Sequence, residues 1–337
     1  PITSTLMGLG FYPASGKNWL RMLGMHGLYE ANMAMHDCDL MITIGARFDD
    51  RITGRVDAFS PGSTKAQIDI DASSINKIIQ VDLPIVGDVG HVLEDLLRIW
   101  KSRGRKTDKA ALAKWWDQIE KWKAVNCLAY NNSDKVIKPQ YAVKRLEALT
   151  KDKDRYITTD VGQHQMWAAQ FLGFEEPNRW MTSGGLGTMG YGLPASNGVQ
   201  MAHPDALVIN VAGDASFLMN IQEISTAVQF RLPVKQFILN NERLGMVRQW
   251  QQLLHGERYS HSWTESLPDF PKLAEAMGCA GFRADNPGDV VPTIEKGLAI
   301  DDRPVVMEFV CDPDAMVFPM IKAGGSNDII YMGPEDL

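Results

Sequence analysis

Six short runs of this chain are apolar on both faces and end in turn residues: Asp39–Gly45 (DLMITIG), Lys65–Asp71 (KAQIDID), Tyr156–Asp160 (YITTD), Ala206–Ala212 (ALVINVA), Val234–Leu239 (VKQFIL) and Pro304–Val310 (PVVMEFV). Such runs are predicted to be strands buried on both faces, as in a parallel sheet. Between them, Leu28–His36, His91–Arg103, Lys109–Val125, Pro139–Leu149, Pro194–Met201, Ile221–Phe230 and Leu273–Met277 carry apolar residues at spacings of three and four, which predicts helices. The alternation implies an α/β fold of layered helices around mostly parallel sheets.

A length of 337 residues implies two domains. Residues 101–135 are rich in Lys, Asp and Trp and carry no strand signal. The expected division is a first domain at 1–100, a helical linker at 101–136, a second domain at 137–325 and a tail at 326–337. Trp115–Trp122 reads as an amphipathic helix bridging the domains, its tryptophans used for packing.

Composition narrows the class. Hydrophobic residues at 45% and charged residues at 22% exclude disordered, collagen-like and coiled-coil chains. A net charge of −7 and the lack of a basic stripe argue against nucleic acid as a partner. The most basic stretch, Lys101 to Lys109, reads as solvated linker. No apolar run is long enough to span a bilayer, so no membrane partner is expected. The opening PITSTLMGLG lacks the features of a secretory signal, and the chain does not begin with Met. Cys38, Cys127, Cys279 and Cys311 are far apart with no CxxC, which suits reduced thiols in a cytoplasmic-type protein.

Two strand-to-loop junctions in the first domain could serve a nucleotide. Gly45-Ala46-Arg47-Phe48-Asp49-Asp50-Arg51 follows one strand, and Asp69-Ile70-Asp71 ends the next. Ligands of open α/β sheets sit at the carboxyl ends of strands, an Arg there can pair with an anion, and an acidic residue can hold a ribose hydroxyl. The chain has no GxGxxG, so a plain salt-bridge network among Arg47, Asp49, Asp50, Arg51 and Arg55 reads equally well.

The second domain holds a stronger pattern. The strand Ala206–Ala212 runs into Gly213-Asp214-Ala215-Ser216, and Val234–Leu239 runs into Asn240-Asn241. In a βαβ unit these strands are neighbours, so Asp214 and Asn241 can converge. Hard oxygen donors with few carboxylates suit a Mg²⁺ that escorts a diphosphate. Amides at the start of the helix after Ser216 would face the same anion.

GDA-x24-NN resembles the thiamine diphosphate and Mg²⁺ motif of thiamin-dependent enzymes. Ala215 stands where the third Gly usually lies, and GDAS is the form found in acetolactate (acetohydroxyacid) synthases. LGMHG (23–27), GARFDDR (45–51), DVGQHQMWAAQ (160–170), SGGLGTMGYGLPA (183–195) and NERLGMVRQWQQL (241–253) all look like the large, catalytic subunit of that enzyme. The resemblance implies two doubly wound parallel-sheet domains, a partial flavin-binding middle domain and a thiamine diphosphate-binding domain.

It further implies that Asp214 and Asn241 ligate Mg²⁺ by side chains and Arg243 by its backbone carbonyl. Gln163, His164 and Met189 would be the catalytic contacts, with Met189 propping the bent cofactor. Gly187, Gly213, Ala215 and Ser216 would complete the thiamine diphosphate site. FAD, without net redox role, would contact His26, Gly27, Gly45, Arg47, Asp69, Asp71 and Asp88. Arg51 would grip the carboxylate of the second 2-ketoacid, and Trp250 with Met246 would wall its side chain; Arg248 reads as a surface cation.

The implied reaction joins pyruvate to pyruvate or 2-ketobutyrate with loss of CO₂, giving 2-acetolactate or 2-aceto-2-hydroxybutyrate on the way to branched-chain amino acids. Small 2-ketoacids, a homodimer or homotetramer and a small regulatory subunit are the implied partners. The family's catalytic subunit has three domains, and this sequence opens inside the middle one. The glutamate that activates the cofactor is expected on the domain not represented, on the same coding sequence or a separate chain. A pyruvate oxidase or glyoxylate carboligase type of enzyme, and an inactive cofactor-binding fragment, are the alternatives.

Overall fold

In the computed structural model, which describes residues 1–104 and 106–336, each of the six apolar runs forms a strand. Residue 105 of the basic stretch and residue 337 of the tail lie outside the described residues. The chain folds into two units.

The first unit gathers Pro1–Thr5, Leu20–Ala129 and the segment from Phe318 onward. It opens with a two-stranded pair, β1 (Ile2–Ser4) and β2 (Trp19–Met22), followed by α1 (Tyr29–His36). Then come β3 (Leu40–Ile44), the single turn α2 (Asp50–Thr53), β4 (Thr64–Asp69), β5 (Leu83–Val86), α3 (Val89–Ser102) and α4 (Lys109–Lys123). The strands β3, β4 and β5 lie side by side and parallel, Leu40 opposite Thr64 and Ala66 opposite Leu83. No residue of α3 is buried; its Leu93, Leu96 and Trp100 are exposed, as are Ile42 and Leu83 of the sheet.

The boundaries differ from those expected. Helix α4 is no free linker: Ile119 and Trp122 are buried with Leu20, Leu28, Ala31 and Ala34, and Trp115 meets Trp122 edge-on at 5.5 Å. Its start is fixed by Asp108, which accepts from the amides of Ala110 and Ala111. The C-terminal segment also belongs to the first unit. Ile321 donates to the Met25 carbonyl at 2.8 Å, Arg55 to the Gly325 carbonyl at 2.8 Å, and Asn327 Nδ2 to the Ile52 carbonyl at 2.9 Å.

The second unit comprises Leu6–Trp19 and Tyr130–Val317. In chain order it contains α5 (Pro139–Thr150), β6 (Arg155–Thr159), α6 (Gln163–Phe171), β7 (Trp180–Thr182), α7 (Gly192–Ala202), β8 (Leu207–Gly213), α8 (Asp214–Leu218), α9 (Ile224–Gln229), β9 (Lys235–Asn240), α10 (Gly245–Leu254), α11 (Phe270–Ala276), β10 (Ala280–Ala284), α12 (Val290–Leu298) and β11 (Val305–Val310). Its six strands are ordered β10-β11-β9-β8-β6-β7, and all pairs are parallel. The chain steps from β6 to β7 on one side, then returns to place β8 on the other. That reversal opens a crevice at the carboxyl ends of β6 and β8, where α/β proteins bind ligands. Beneath it, Ala212, Phe217, Ile238 and Val306 form the core, and Phe237 stacks on Phe309 with centroids 4.2 Å apart.

Three elements of this unit escape hydrophobic periodicity. Helix α6 buries polar Gln163, His164, Gln165 and Gln170 alongside Trp167, so its pattern looks mixed. Strand β7 is 3 residues long, and β10 is an edge strand carrying Arg283.

The placement of α4 is testable. Ile119→Ala is expected to lower unfolding stability by about 2–5 kcal/mol, the penalty of a fully buried isoleucine. Denaturant unfolding measures it, and a change near zero would return α4 to the status of a linker.

Candidate active site

The parallel pairing of β8 with β9 sets Gly213 opposite Leu239 and so brings two loops together. Asp214, exposed 1%, opens α8 directly after β8. Its Oδ2 accepts from the Glu242 amide at 2.7 Å, and its Oδ1 accepts from Ala215. Asp214 thus touches the turn that carries Asn241 and Arg243. Burial raises its carboxyl to about 6. The helix begins at Asp214, not after Ser216 as expected; Ser216 instead turns its hydroxyl back to the Gly213 amide at 3.2 Å.

Asn241 is buried, and its Oδ1 accepts from the Arg243 amide at 3.3 Å. Arg243 bridges antiparallel to Trp263, using the Glu242 carbonyl and the Leu244 amide, so the Arg243 carbonyl is not taken up by that bridge. Its guanidinium lies over Trp263, 5.7 Å from the ring.

Gln163 ties this turn to the end of β6. Its Oε1 accepts from Asn241 Nδ2 at 3.1 Å; its Nε2 donates to Gln249 Oε1 at 2.9 Å and to the Ala315 carbonyl at 3.0 Å. Gln249 in turn is braced by the backbone of Val317. A side chain at Gly245 would meet Gln163 Oε1 at 2.0 Å, so the amide network requires glycine there. His164 is buried beside Gly213, its Nδ1 2.8 Å from where a Gly213 Cβ would stand. Burial holds the imidazole at about 3 and therefore neutral, and its Nε2 has no hydrogen-bond partner among the described residues.

Met189 is half-buried on the loop after β7. Asp160, at the end of β6, holds that loop by accepting from the Gly190 amide at 2.7 Å and the Gly192 amide at 3.2 Å. Asn220 Nδ2 donates to the Gly190 carbonyl at 2.7 Å. Gly190 has φ +90°, and an added Cβ would lie 2.7 Å from Asn220 Nδ2, so glycine is required on both counts. Gly187 lies in the same loop with φ +68°. Met246 and Trp250, four apart on α10, share a half-buried face. Arg248 is no solvated surface cation: it pairs with Asp314 at 2.8 Å and lies over Tyr259.

In the first unit five of the flavin candidates fall at the carboxyl ends of three adjacent strands: Gly45 and Arg47 after β3, Asp69 as the last residue of β4 with Asp71 beyond it, and Asp88 after β5. Gly45 is exposed with φ +61° and open space around it. Asp71 is committed to its own turn, accepting from the Ser73 amide and from the Ser73 and Ser74 hydroxyls, bonds that lower its pKa. Asp88 caps α3 through the His91 amide. His26 and Gly27 are buried; burial keeps His26 neutral, at about 4, with Nδ1 3.3 Å from the Pro319 carbonyl. The salt-bridge alternative resolves into local pairs, Arg47 with Asp49, Arg51 with Asp50 and Arg55 with Asp57. Arg51 and Gly54 line a cavity of about 250 Å³ with Met25, Lys322 and Asn327.

Asp160, Asn220, Gln249 and Asn240 were not singled out as supports. A signal was present for two of them, since Asp160 and Asn240 are polar residues at strand ends; Gln249 lies within α10 and Asn220 just beyond α8, where sequence gives no comparable mark. Among the described residues no three His, Cys, Asp or Glu side chains gather as a metal site. No described helix is long and apolar enough to cross a membrane.

Comparison with known proteins defines the class. Residues 160–309 match the model of the thiamine pyrophosphate enzyme C-terminal TPP binding domain, and residues 1–96 that of the thiamine pyrophosphate enzyme central domain. The chain belongs to the thiamine pyrophosphate enzyme family. Within it, the chain is 45% identical to the acetolactate synthase large subunit of Haemophilus influenzae, over 100% of this chain and 58% of that one. It is 46% identical to the acetolactate synthase isozyme 3 large subunit of Escherichia coli, over 100% and 59%, and 42% identical to the acetolactate synthase of Mycobacterium leprae, over 98% and 53%. It therefore spans about three-fifths of the length of the first two relatives.

The buried imidazole gives a pH prediction. Folded His164 sits at about 3 against an ordinary 6.5, so below 6.5 the unfolded chain takes a proton that the folded chain does not. Stability at this site is lost as the pH falls through 6.5. Asp214 acts in the opposite sense, since its folded carboxyl keeps a proton between about 6 and 3.8. His164→Gln is expected to reduce the stability loss between pH 7 and pH 5 by about 2 kcal/mol, read by denaturant unfolding at both pH values.

Proposed function

We propose that this chain carries the thiamine diphosphate and flavin sites of an acetolactate synthase catalytic subunit. The observation that carries the reading is the 2.7 Å bond between Asp214 and the Glu242 amide, which seats a lone buried carboxylate against the Asn241–Arg243 turn. One carboxylate, one amide oxygen and one backbone carbonyl make a hard, sparsely charged donor set. That suits a Mg²⁺ whose remaining ligands are diphosphate oxygens and water. The buried His164 Nε2 offers a further polar contact beside Gly213.

Thiamine diphosphate, when bound, supplies the carbon nucleophile and electron sink that let one 2-ketoacid lose CO₂ and join a second. The chain's own residues position and select. Gln163 holds Asn241 so that its side chain cannot swing from the site. Met189, on a loop clamped by Asp160 and Asn220, provides a fixed apolar prop. Arg51 presents a planar guanidinium suited to gripping a 2-ketoacid carboxylate. Trp250 and Met246 present an apolar face to the substrate side chain, where one methylene changes binding by about 1–3 kcal/mol. FAD is proposed to lie on the first unit, near Gly45, Arg47 and Asp69; it is assigned no net redox role. The relatives named large subunits support assembly with a small regulatory subunit, and self-assembly as a homodimer or homotetramer belongs to the same proposal.

With pyruvate, thiamine diphosphate, Mg²⁺ and FAD, and with the domain expected to carry the activating glutamate supplied, the chain is expected to form 2-acetolactate, read as acetoin after acid decarboxylation. Asp214→Asn is expected to abolish Mg²⁺-dependent cofactor binding as measured by calorimetry. Acetyl phosphate as product would move the reading to the pyruvate oxidase type. Cofactor binding with no product would leave a cofactor-binding protein. Trp250→Leu is expected to reduce the preference for 2-ketobutyrate over pyruvate; an unchanged product ratio in competition would remove Trp250 from the pocket.

A further inference from the structure

The strand Val305–Val310 reads VVMEFV and buries every residue from Val305 to Phe309, including Glu308, which is 1% exposed. A carboxylate in the middle of such a strand loses its hydration, and only specific partners compensate. Glu308 has two. Its Oε2 accepts from Arg283 Nε at 2.7 Å, and these residues are direct neighbours across β10 and β11. Its Oε1 accepts from Asn240 Nδ2 at 2.7 Å. Across β11 and β9, Glu308 pairs with Ile238, and Asn240 follows two residues on, with its side chain on the same face.

The carboxylate can only accept, so it fixes which way the Asn240 amide points. The NH₂ faces Glu308, and Oδ1 faces the next turn, where it accepts from the Glu242 amide at 3.0 Å. That same amide donates to Asp214 Oδ2 at 2.7 Å. Donation therefore converges on Glu308, from Arg283 on one side and, on the other, from Asn240, which itself accepts from the Glu242 amide between the proposed metal-ligating residues Asn241 and Arg243.

We propose that Glu308 and Asn240 are positioning residues that set the metal-binding turn by fixing the donor and acceptor ends of the Asn240 amide. The inference rests on the magnesium reading of Asp214 and Asn241. It adds that the turn is held in its ligating shape by a carboxylate on a different strand that never touches the ion.

Glu308→Gln tests it while keeping the side chain's shape. Its amide can offer Arg283 an oxygen only by presenting NH₂ to Asn240, so the Asn240 amide must flip and set donor against donor at Glu242. The half-saturating Mg²⁺ concentration for thiamine diphosphate binding, measured by calorimetry on the full chain, is expected to rise at least about tenfold, as when the support of a metal ligand is removed. Hydrogen exchange in the metal-free chain is expected to quicken at the Glu242 amide. The double variant Asn240→Asp/Glu308→Gln reverses the polarity at unchanged net charge: the new carboxylate accepts from both the glutamine and Glu242. It is expected to restore Mg²⁺ binding to within about threefold of the original chain and to slow the exchange again.

Unchanged exchange and Mg²⁺ dependence in Glu308→Gln would overturn the relay. So would a double variant as impaired as the single one, because generic core damage is not repaired by a second substitution. If the unaltered chain shows no Mg²⁺-dependent cofactor binding, the functional reading fails, and with it the role assigned to the relay. The exchange measurement still tells whether the hydrogen-bonded relay itself exists.

Discussion

The arrangement of the second unit depends on the parallel pairing of β8 with β9. The register that sets Gly213 opposite Leu239 leaves both strands ending at the same level, so the Asp214 carboxylate meets the Glu242 amide. A slip of one residue would turn every side chain of β9 to the opposite face and carry Asn240 away from Glu308. Both strands are almost wholly buried, and the register is held by apolar Val211, Phe237, Ile238 and Leu239 together with the bond from Asn210 Nδ2 to Gln236 Oε1 at 2.7 Å between directly paired residues. Core packing thus sets where the polar centre stands.

Around that centre, buried polar groups are joined in chains instead of isolated pairs. Gln163 links Asn241 to Gln249, Gln249 links to Val317, and Asp160 links β6 to the Gly190 loop. The amides of Gln163 and Gln249 have donors and acceptors matched, which is the condition for burying polar atoms without a large loss of stability, whereas Asp160 uses Oδ1 alone. Most of the neighbouring glycines leave room for these side chains and do not serve chain flexibility, as the clash of a Gly245 Cβ with Gln163 shows.

Much of this was legible in the sequence. All six apolar runs are strands, and the paired GDAS and NN motifs lie at neighbouring strand ends because motif and strand were read together. What remained hidden has physical reasons. Helix α6 packs polar side chains inward, so hydrophobic periodicity is blind to it. The short strands β5 and β7 carry too few residues for a pattern. The return of residues 318–336 to the first unit is made by backbone bonds such as Ile321 to Met25, which have no signature in residue type. The amphipathic character of α4 and the packing of its tryptophans were read correctly, but residue type does not say which unit Ile119 and Trp122 pack into. Glu308 was visible all along as the one charge inside PVVMEFV, but only the structure shows what it faces.

The strand order has a consequence for how the centre comes into being. Its residues are drawn from the ends of β6, β8 and β9, which neighbour one another in space but are separated along the chain by whole helices and, for β6 and β8, by β7 at the sheet edge. Contacts of such sequence separation form late, after the entropy of closing long loops has been overcome. Asp214 and the Asn241 turn need only β8 and β9 paired, whereas the Gln163 tie to Asn241 also needs β6 docked beside β8. A chain with only the first pair formed would hold the two loops together but leave Asn241 without its brace.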